Sequence, residues 1–140
     1  MAIQEPDYVW MDGKYVNWKD ANVPILTHAM HYGTAVFEGI RAYPSEDNLL
    51  VFRLKEHLER LVESCKILPL EHKFSVDDLE KAILGLLKKN QLKESSYIRP
   101  IVYVGYGGIG LNFTGFPINV AIAAFPFGKY FTNPEIKVCI

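Results

Sequence analysis

Hydrophobic and polar positions along this chain change period twice, dividing it into strand-forming, helix-forming and again strand-forming stretches. Tyr8-Val9-Trp10-Met11 and Lys14-Tyr15-Val16 flank Asp12-Gly13, a pair that supplies the two positive-φ positions of a type I′ turn, so a hairpin is predicted. Trp18 to Pro24 reads as a connection with edge-strand character, because Pro24 cannot donate to a ladder. The stretch 28–41 (HAMHYGTAVFEGIR) opens like a turn and closes like a strand. In that strand Ala35, Phe37, Gly39 and Arg41 share one face, and Val36, Glu38 and Ile40 the other. A glycine beside Phe37 leaves a notch, which is either a bulge in a core strand or a place where a ligand approaches the backbone. Tyr43 to Asn48 is a polar turn cluster, and Leu49 to Arg53 returns as a strand, so 35–53 reads as a second hairpin.

From Leu54 the period becomes helical. Leu54, Leu58, Leu61, Cys65 and Leu68 recur on one face, with Lys55, Glu56, Glu59 and Glu63 between them, and Pro69 ends the run. Ser75 is placed to cap a second helix, with Asp77 and Asp78 in its first turn. Val76, Leu79, Ala82, Ile83, Leu86 and Leu87 form its apolar face, and Asn90 stops it. Ser96 to Val104 is the next strand, interrupted at Arg99-Pro100. Ile118 to Phe125 is nearly all apolar, as in a strand buried centrally. Residues 136–140 begin another alternating strand. The pattern predicts an α+β fold, an antiparallel sheet with two helices packed on one face.

Composition narrows the function classes. The chain has 140 residues, 49% of them hydrophobic, which suits one globular domain. A net charge of −1 argues against nucleic-acid or anionic-membrane partners. MAIQEPDYVW has neither a basic start nor an apolar run, so no signal peptide is expected. No apolar stretch approaches the ~20 residues that span a bilayer. Cys65 and Cys139 lie far apart, which reads as reduced thiols in a cytoplasmic protein.

Gly105-Tyr106-Gly107-Gly108-Ile109-Gly110 matches GxGxxG after a strand, but a dinucleotide fingerprint needs a helix next. Leu111 to Pro117 cannot open one, so the glycine run reads as a flexible loop. His28 and His31 are three apart without further ligands at metal spacing, and no metal site is expected. His57 and His72 sit in polar surroundings and read as solvated. No Ser–His–Asp or paired-carboxylate arrangement supports hydrolysis.

The string HAMHYGTAVFEGIR resembles the signature of branched-chain amino-acid aminotransferases, enzymes that use pyridoxal 5′-phosphate. VFRLKEHLERL (51–61), SSYIRPIVYVG (95–105) and AFPFGKY (124–130) continue the resemblance in order, over nearly the whole chain. The resemblance implies that residues 1–127 are the small N-terminal domain. Residues 128–140 would then be the interdomain linker and the first strand of a missing large domain. It implies transfer of the amino group of Leu, Ile or Val to 2-oxoglutarate, with branched-chain amino acids and 2-oxo acids as partners, in a homo-oligomer of two subunits or more. A D-amino-acid aminotransferase or an aminodeoxychorismate lyase of the same fold stays open, as does a non-catalytic dimerising domain.

The resemblance also assigns residues. Arg60 matches the arginine that holds the cofactor phosphate, whereas its helical spacing alone suggests a surface ion pair with Glu56 or Glu63. Tyr97 and Arg99 match the substrate pocket, where a cation and a phenol orient a carboxylate. By burial rules Arg99 reads equally as an edge arginine that reaches water. Phe37 and Tyr130 match pocket-wall positions. Tyr32, Ile109 and Leu111 match positions that complete the neighbouring subunit's pocket, with ordinary core as the rival role for each apolar residue. The family's Schiff-base lysine matches none of the lysines here, so the chain alone is expected to be inactive, with no catalytic residue of its own.

Overall fold

The switch to helical period at Leu54 produces helix α2 (Leu54–Ile67), and Ser75 starts helix α3 (Val76–Lys89). The computed structural model describes residues 4–128 and places both helices against one sheet of seven strands. The strands are β1 (Tyr8–Met11), β2 (Lys14–Asn17), β3 (Ala35–Phe37), β4 (Ile40–Ser45), β5 (Asn48–Val51), β6 (Ser96–Val104) and β7 (Ile118–Pro126). Their order is β2-β1-β7-β6-β4-β5, with β3 also on β6, and every pair is antiparallel. The fold is α+β. Among the described residues no helix is long and apolar enough to cross a membrane.

The core forms between helices and sheet. Leu58, Leu61, Leu79, Ile83 and Leu86 are fully buried against Ile40, Ile98, Val102, Val104 and Ile122. Cys65 is part of this core, and burial pushes its thiol up to about 11. The Ser75 cap closes a reciprocal box: its Oγ accepts from Asp78 N at 3.1 Å, and its own N donates to Asp78 Oδ2 at 2.9 Å. Asp12 and Gly13 take φ of 49° and 101°, as the hairpin turn requires. The turn is also tied to β7, because Asp12 Oδ1 accepts from Val120 N at 2.8 Å.

Several local expectations are corrected. Residues 28–32 form a one-turn helix, α1 (His28–Tyr32), ended by Gly33 at φ 67°, rather than a simple turn. Trp18–Asp20 is a 3₁₀ turn whose first N–H donates to Asp7 O, and no strand forms between Trp18 and Pro24. The turn of the second hairpin is confined to Glu46 and Asp47, and its return strand stops at Val51. Arg99-Pro100 does not interrupt β6, which runs unbroken for nine residues.

The interruption falls instead on the neighbouring strand. Ala35↔Tyr103 and Ile40↔Ile98 belong to one unshifted register, yet β3 ends at Phe37 and β4 begins at Ile40. Glu38 N donates to Pro100 O at 3.1 Å, and proline has no N–H with which to return a bond to the Glu38 carbonyl. The proline in one strand therefore opens a gap in the other.

The apolar run of β7 suggested burial on both faces, but only Val120, Ile122 and Ala124 are buried. Ala121 and Ala123 lie on the opposite face, beside Ile101 and Tyr103 of β6, and line an open groove of about 390 Å³. Residues 129–140, with Lys129, Tyr130, Cys139 and the strand expected at 136–140, lie outside the described residues.

Leu58→Ala is expected to cost about 2–5 kcal/mol, because it empties a fully enclosed position. Ser75→Ala should cost about 1 kcal/mol, the usual value of a lost cap. Urea unfolding of the two variants checks the ranking.

Candidate functional site

On the face of the sheet away from α2 and α3, alternation along β6 brings Tyr97 and Arg99 to the same side. The Arg99 guanidinium lies 4.2 Å from the Phe37 ring centroid and receives no carboxylate. Its Nη2 donates to the Tyr97 hydroxyl at 2.6 Å, and its Nε does so at 3.2 Å. The notch at Gly39 is real and is filled from within: a Cβ there would sit 2.5 Å from the Tyr97 hydroxyl. Arg41, directly across from Tyr97, donates to the carbonyls of Phe127 at 3.0 Å and Gly128 at 3.3 Å. Among the described residues neither Arg41 nor Arg99 has a carboxylate partner. Phe37, Tyr97 and Arg99 are thus brought together as the sequence suggested, with Arg41 beside them.

Arg60 is held differently from either expectation of its helix spacing. Glu56 pairs with Arg53 and Glu63 with Lys66. Arg60 reaches across to the sheet, where its Nε and Nη2 donate to Glu38 Oε1 and Oε2 at 2.5 and 2.6 Å. Glu38 is 6% exposed and faces the helices between Val36 and Ile40. His57 is not solvated as expected: its Nδ1 lies 2.9 Å from Glu38 Oε2 and donates to it. The Arg60 hydrogen bond, helped by His57, holds the Glu38 carboxyl below its ordinary range although burial opposes this. Glu38 in turn raises the Arg60 pKa. His72 is half-buried, and that burial lowers its pKa.

A third cluster forms around α1. The buried His28 ring stacks on Tyr32 at 4.4 Å between centroids. Its Nε2 lies 2.7 Å from the Gly110 carbonyl and its Nδ1 2.8 Å from Thr34 Oγ1. The Tyr32 hydroxyl accepts from Gly110 N at 3.1 Å. Both ends of α1 therefore fasten the glycine loop, and Ile109 and Leu111 project from it at 67% and 86% exposure. They are not core. The groove on the open face runs between this cluster and Arg99, with Thr27 and Met30 on one side and Ile101 and Tyr103 on the other.

Glu38, His57 and Arg41 were not singled out in the sequence. Glu38 left a signal: it is the one acid on the core-facing set of its strand. His57 and Arg41 carried none without the fold. Chemically, the site offers permanent cations, a phenol and an aromatic wall, which suit binding and orienting an anion. Among the described residues no group of three or more His, Cys, Asp and Glu is arranged to hold a metal ion.

The lowered Glu38 pKa carries a sign. Its contribution to stability is complete above the ordinary carboxyl value of 4.5 and is lost as pH falls through the lower folded value. Glu38→Gln lacks that contribution, so its deficit against the unaltered chain is expected to be largest near pH 7 and to shrink towards pH 3. Urea midpoints for the two proteins across that range test this.

Known proteins share this fold. Residues 35–140 match the class IV amino-transferase family. The chain is 47% identical over 131 residues to the branched-chain-amino-acid aminotransferase of Salmonella typhimurium, across 93% of this chain and 42% of that one. The crystal structure of the Escherichia coli branched-chain amino acid aminotransferase is similar at TM-score 0.85 and 47% identity, over 89% of this chain and 41% of that one. The branched-chain amino acid aminotransferase of Thermoproteus uzoniensis, solved with norvaline, is similar at TM-score 0.86 and 44% identity, covering 91% of this chain and 43% of that one. A further branched-chain aminotransferase, complexed with N-(5′-phosphopyridoxyl)-L-glutamate, is similar at TM-score 0.85 and 39% identity, over 90% of this chain and 42% of that one. The chain spans less than half the length of these relatives. With its matched segment running from β3 through the Arg60, Arg99 and glycine-loop clusters, the chain belongs to the class IV aminotransferases.

Proposed function

We propose that this chain is the small-domain part of a pyridoxal 5′-phosphate-dependent aminotransferase that moves amino groups between Leu, Ile or Val and 2-oxoglutarate. The observation that carries the reading is Arg99, bonded to the Tyr97 hydroxyl and set over Phe37, a cation with no carboxylate partner among the described residues, beside an aromatic wall. Such a unit suits a ligand with one anionic end and one apolar side chain.

Arg60 fits the cofactor's phosphate. Its Nε and Nη2 are committed to Glu38, its Nη1 has no partner among the described residues, and its side chain is 66% exposed. A guanidinium with a free edge can donate to phosphate oxygens and keeps its charge at any working pH. The cofactor, when bound, supplies a ring that accepts the charge released as the substrate's α-hydrogen leaves.

The chain's own residues bind and orient. Arg99 and the Tyr97 hydroxyl receive a carboxylate. Phe37 excludes water from the apolar side chain, and the bare Gly39 gives Tyr97 the room to reach Arg99. The reading assigns a further pocket-wall role to Tyr130. None of these groups is suited to carry the α-proton, and the reading assigns that task to a lysine in the length of the relatives that this chain does not span.

The reading includes a second subunit. Tyr32, Ile109 and Leu111 stand exposed on α1 and at the glycine loop, where a partner's pocket could take them, and the groove face is apolar. A contiguous apolar patch of this kind usually marks an interface.

Two outcomes are expected. In the enzyme that extends this chain to the length of its relatives, leucine and 2-oxoglutarate yield glutamate, while the 140-residue chain alone yields none. Arg60→Ala there should weaken cofactor binding by about tenfold or more, the scale of a lost charge-assisted hydrogen bond, with a smaller change in rate at saturating cofactor. An unchanged cofactor dissociation constant would return Arg60 to a structural ion pair. Separately, Ile109→Asp with Leu111→Asp should shift the enzyme towards monomer in light scattering. A dimer unaffected by both charges would remove the loop from the interface.

A further inference from the structure

We infer that Glu38 is the positioning residue of Arg60, clamping its guanidinium so that the free edge is presented to the cofactor's phosphate. The inference rests on the reading of Arg60 as the phosphate-holding arginine and goes beyond it by assigning the group that aims it. Arg60 is otherwise a long, mostly exposed side chain on a helix surface, and such a chain gives up much rotational freedom when it is pinned by a ligand. Here the pinning is already done. Both Glu38 oxygens are used, one by Nε and one by Nη2, which fixes the guanidinium plane as well as its position. Nη1 is left on the edge away from the carboxylate.

Three features make Glu38 a built clamp. It is 6% exposed, and a carboxylate is seldom buried so far without fixed partners. His57, three residues before Arg60 on α2, donates to Oε2 and holds the carboxylate from the same helix. The backbone at Glu38 is set by Pro100, whose carbonyl accepts from Glu38 N. Helix α2 and strand β6 thus both fix one carboxylate, and that carboxylate fixes one arginine. Phe37 and Gly39, on either side of Glu38, face the substrate cluster, so a single strand segment serves both.

An opposing effect makes the inference testable. Glu38 also places a negative charge near an incoming phosphate, and if repulsion dominated, neutralising it would tighten binding. We expect orientation to dominate. In the full-length enzyme, Glu38→Gln keeps one acceptor oxygen but turns an NH2 towards the second Arg60 donor, so the clamp opens. The dissociation constant of pyridoxal 5′-phosphate, read by absorbance titration of the apoenzyme, should rise about tenfold. That of pyridoxal, which lacks the phosphate, should stay within about twofold. In an Arg60→Lys background, where no fork remains to be clamped, Glu38→Gln should have almost no further effect on the phosphate form. Should Glu38→Gln fail to fold, Glu38→Asp retains the charge one methylene short and should show the same phosphate-dependent loss at about threefold.

The outcomes separate cleanly. Arg60→Ala weakening the cofactor while Glu38→Gln leaves it unchanged or tighter overturns the clamp and leaves the phosphate reading intact. Equal losses for pyridoxal and its phosphate, with a lowered melting temperature, make Glu38 purely structural and overturn the clamp as well. If Arg60→Ala itself changes nothing, the underlying reading has failed.

Discussion

A carboxylate buried on the core side of a strand must be paired, and the pairing of Glu38 with Arg60 and His57 organises much of this molecule. It joins α2 to the strand segment 35–40 at a point where the ladder is weakened by Pro100. It draws a helix arginine away from the acids on its own helix, which pair with Arg53 and Lys66. Breaking one partner of such a set leaves a charge buried without compensation, which is strongly destabilising. Ion pairing as well as packing therefore fixes α2 against the sheet at this point.

The two faces of the sheet have different tasks. One is dry and closed by α2 and α3, and its residues are aliphatic and fully enclosed. The other carries arginines, tyrosines and phenylalanines around an open groove, which the 18–30 segment lines on one side. An apolar strand such as β7 is stable in this setting because its inner side is packed and its outer side carries Ala121 and Ala123, which expose little surface. The open face is where the ligand and the second subunit are proposed to meet, which accounts for the incomplete burial of β7.

The glycines divide the same way. Gly39 makes room for a hydroxyl that orients Arg99, a use of absent side-chain volume. The run at 105–110 allows the chain to leave β6, meet His28 and Tyr32 through Gly110, and still project Ile109 and Leu111 outward. What looked like a dinucleotide fingerprint is a loop between two antiparallel strands, and the missing helix after it was enough to decide the matter.

Local physics determined a good deal from sequence alone. Helical spacing located α2 and α3 to within a residue or two, Ser75 announced its cap with acids in the first turn, and Asp12-Gly13 announced its turn, because each depends on neighbours a few positions away. The motif strings located Phe37, Tyr97, Arg99, Tyr32, Ile109 and Leu111, and the fold gathers these into two clusters. What only the tertiary structure decided were the pairings between distant residues. The ladder placed β1 beside β7 and set Pro100 opposite Glu38, so the break fell at Glu38-Gly39 and not in β6 itself. It also gave Arg60 a carboxylate 22 positions away in preference to Glu56 and Glu63 within reach on the same helix. The reason is energetic: an exposed pair along a helix gains little, whereas a buried carboxylate cannot be left unpaired, and which residue is buried is known only once the sheet and helix have met.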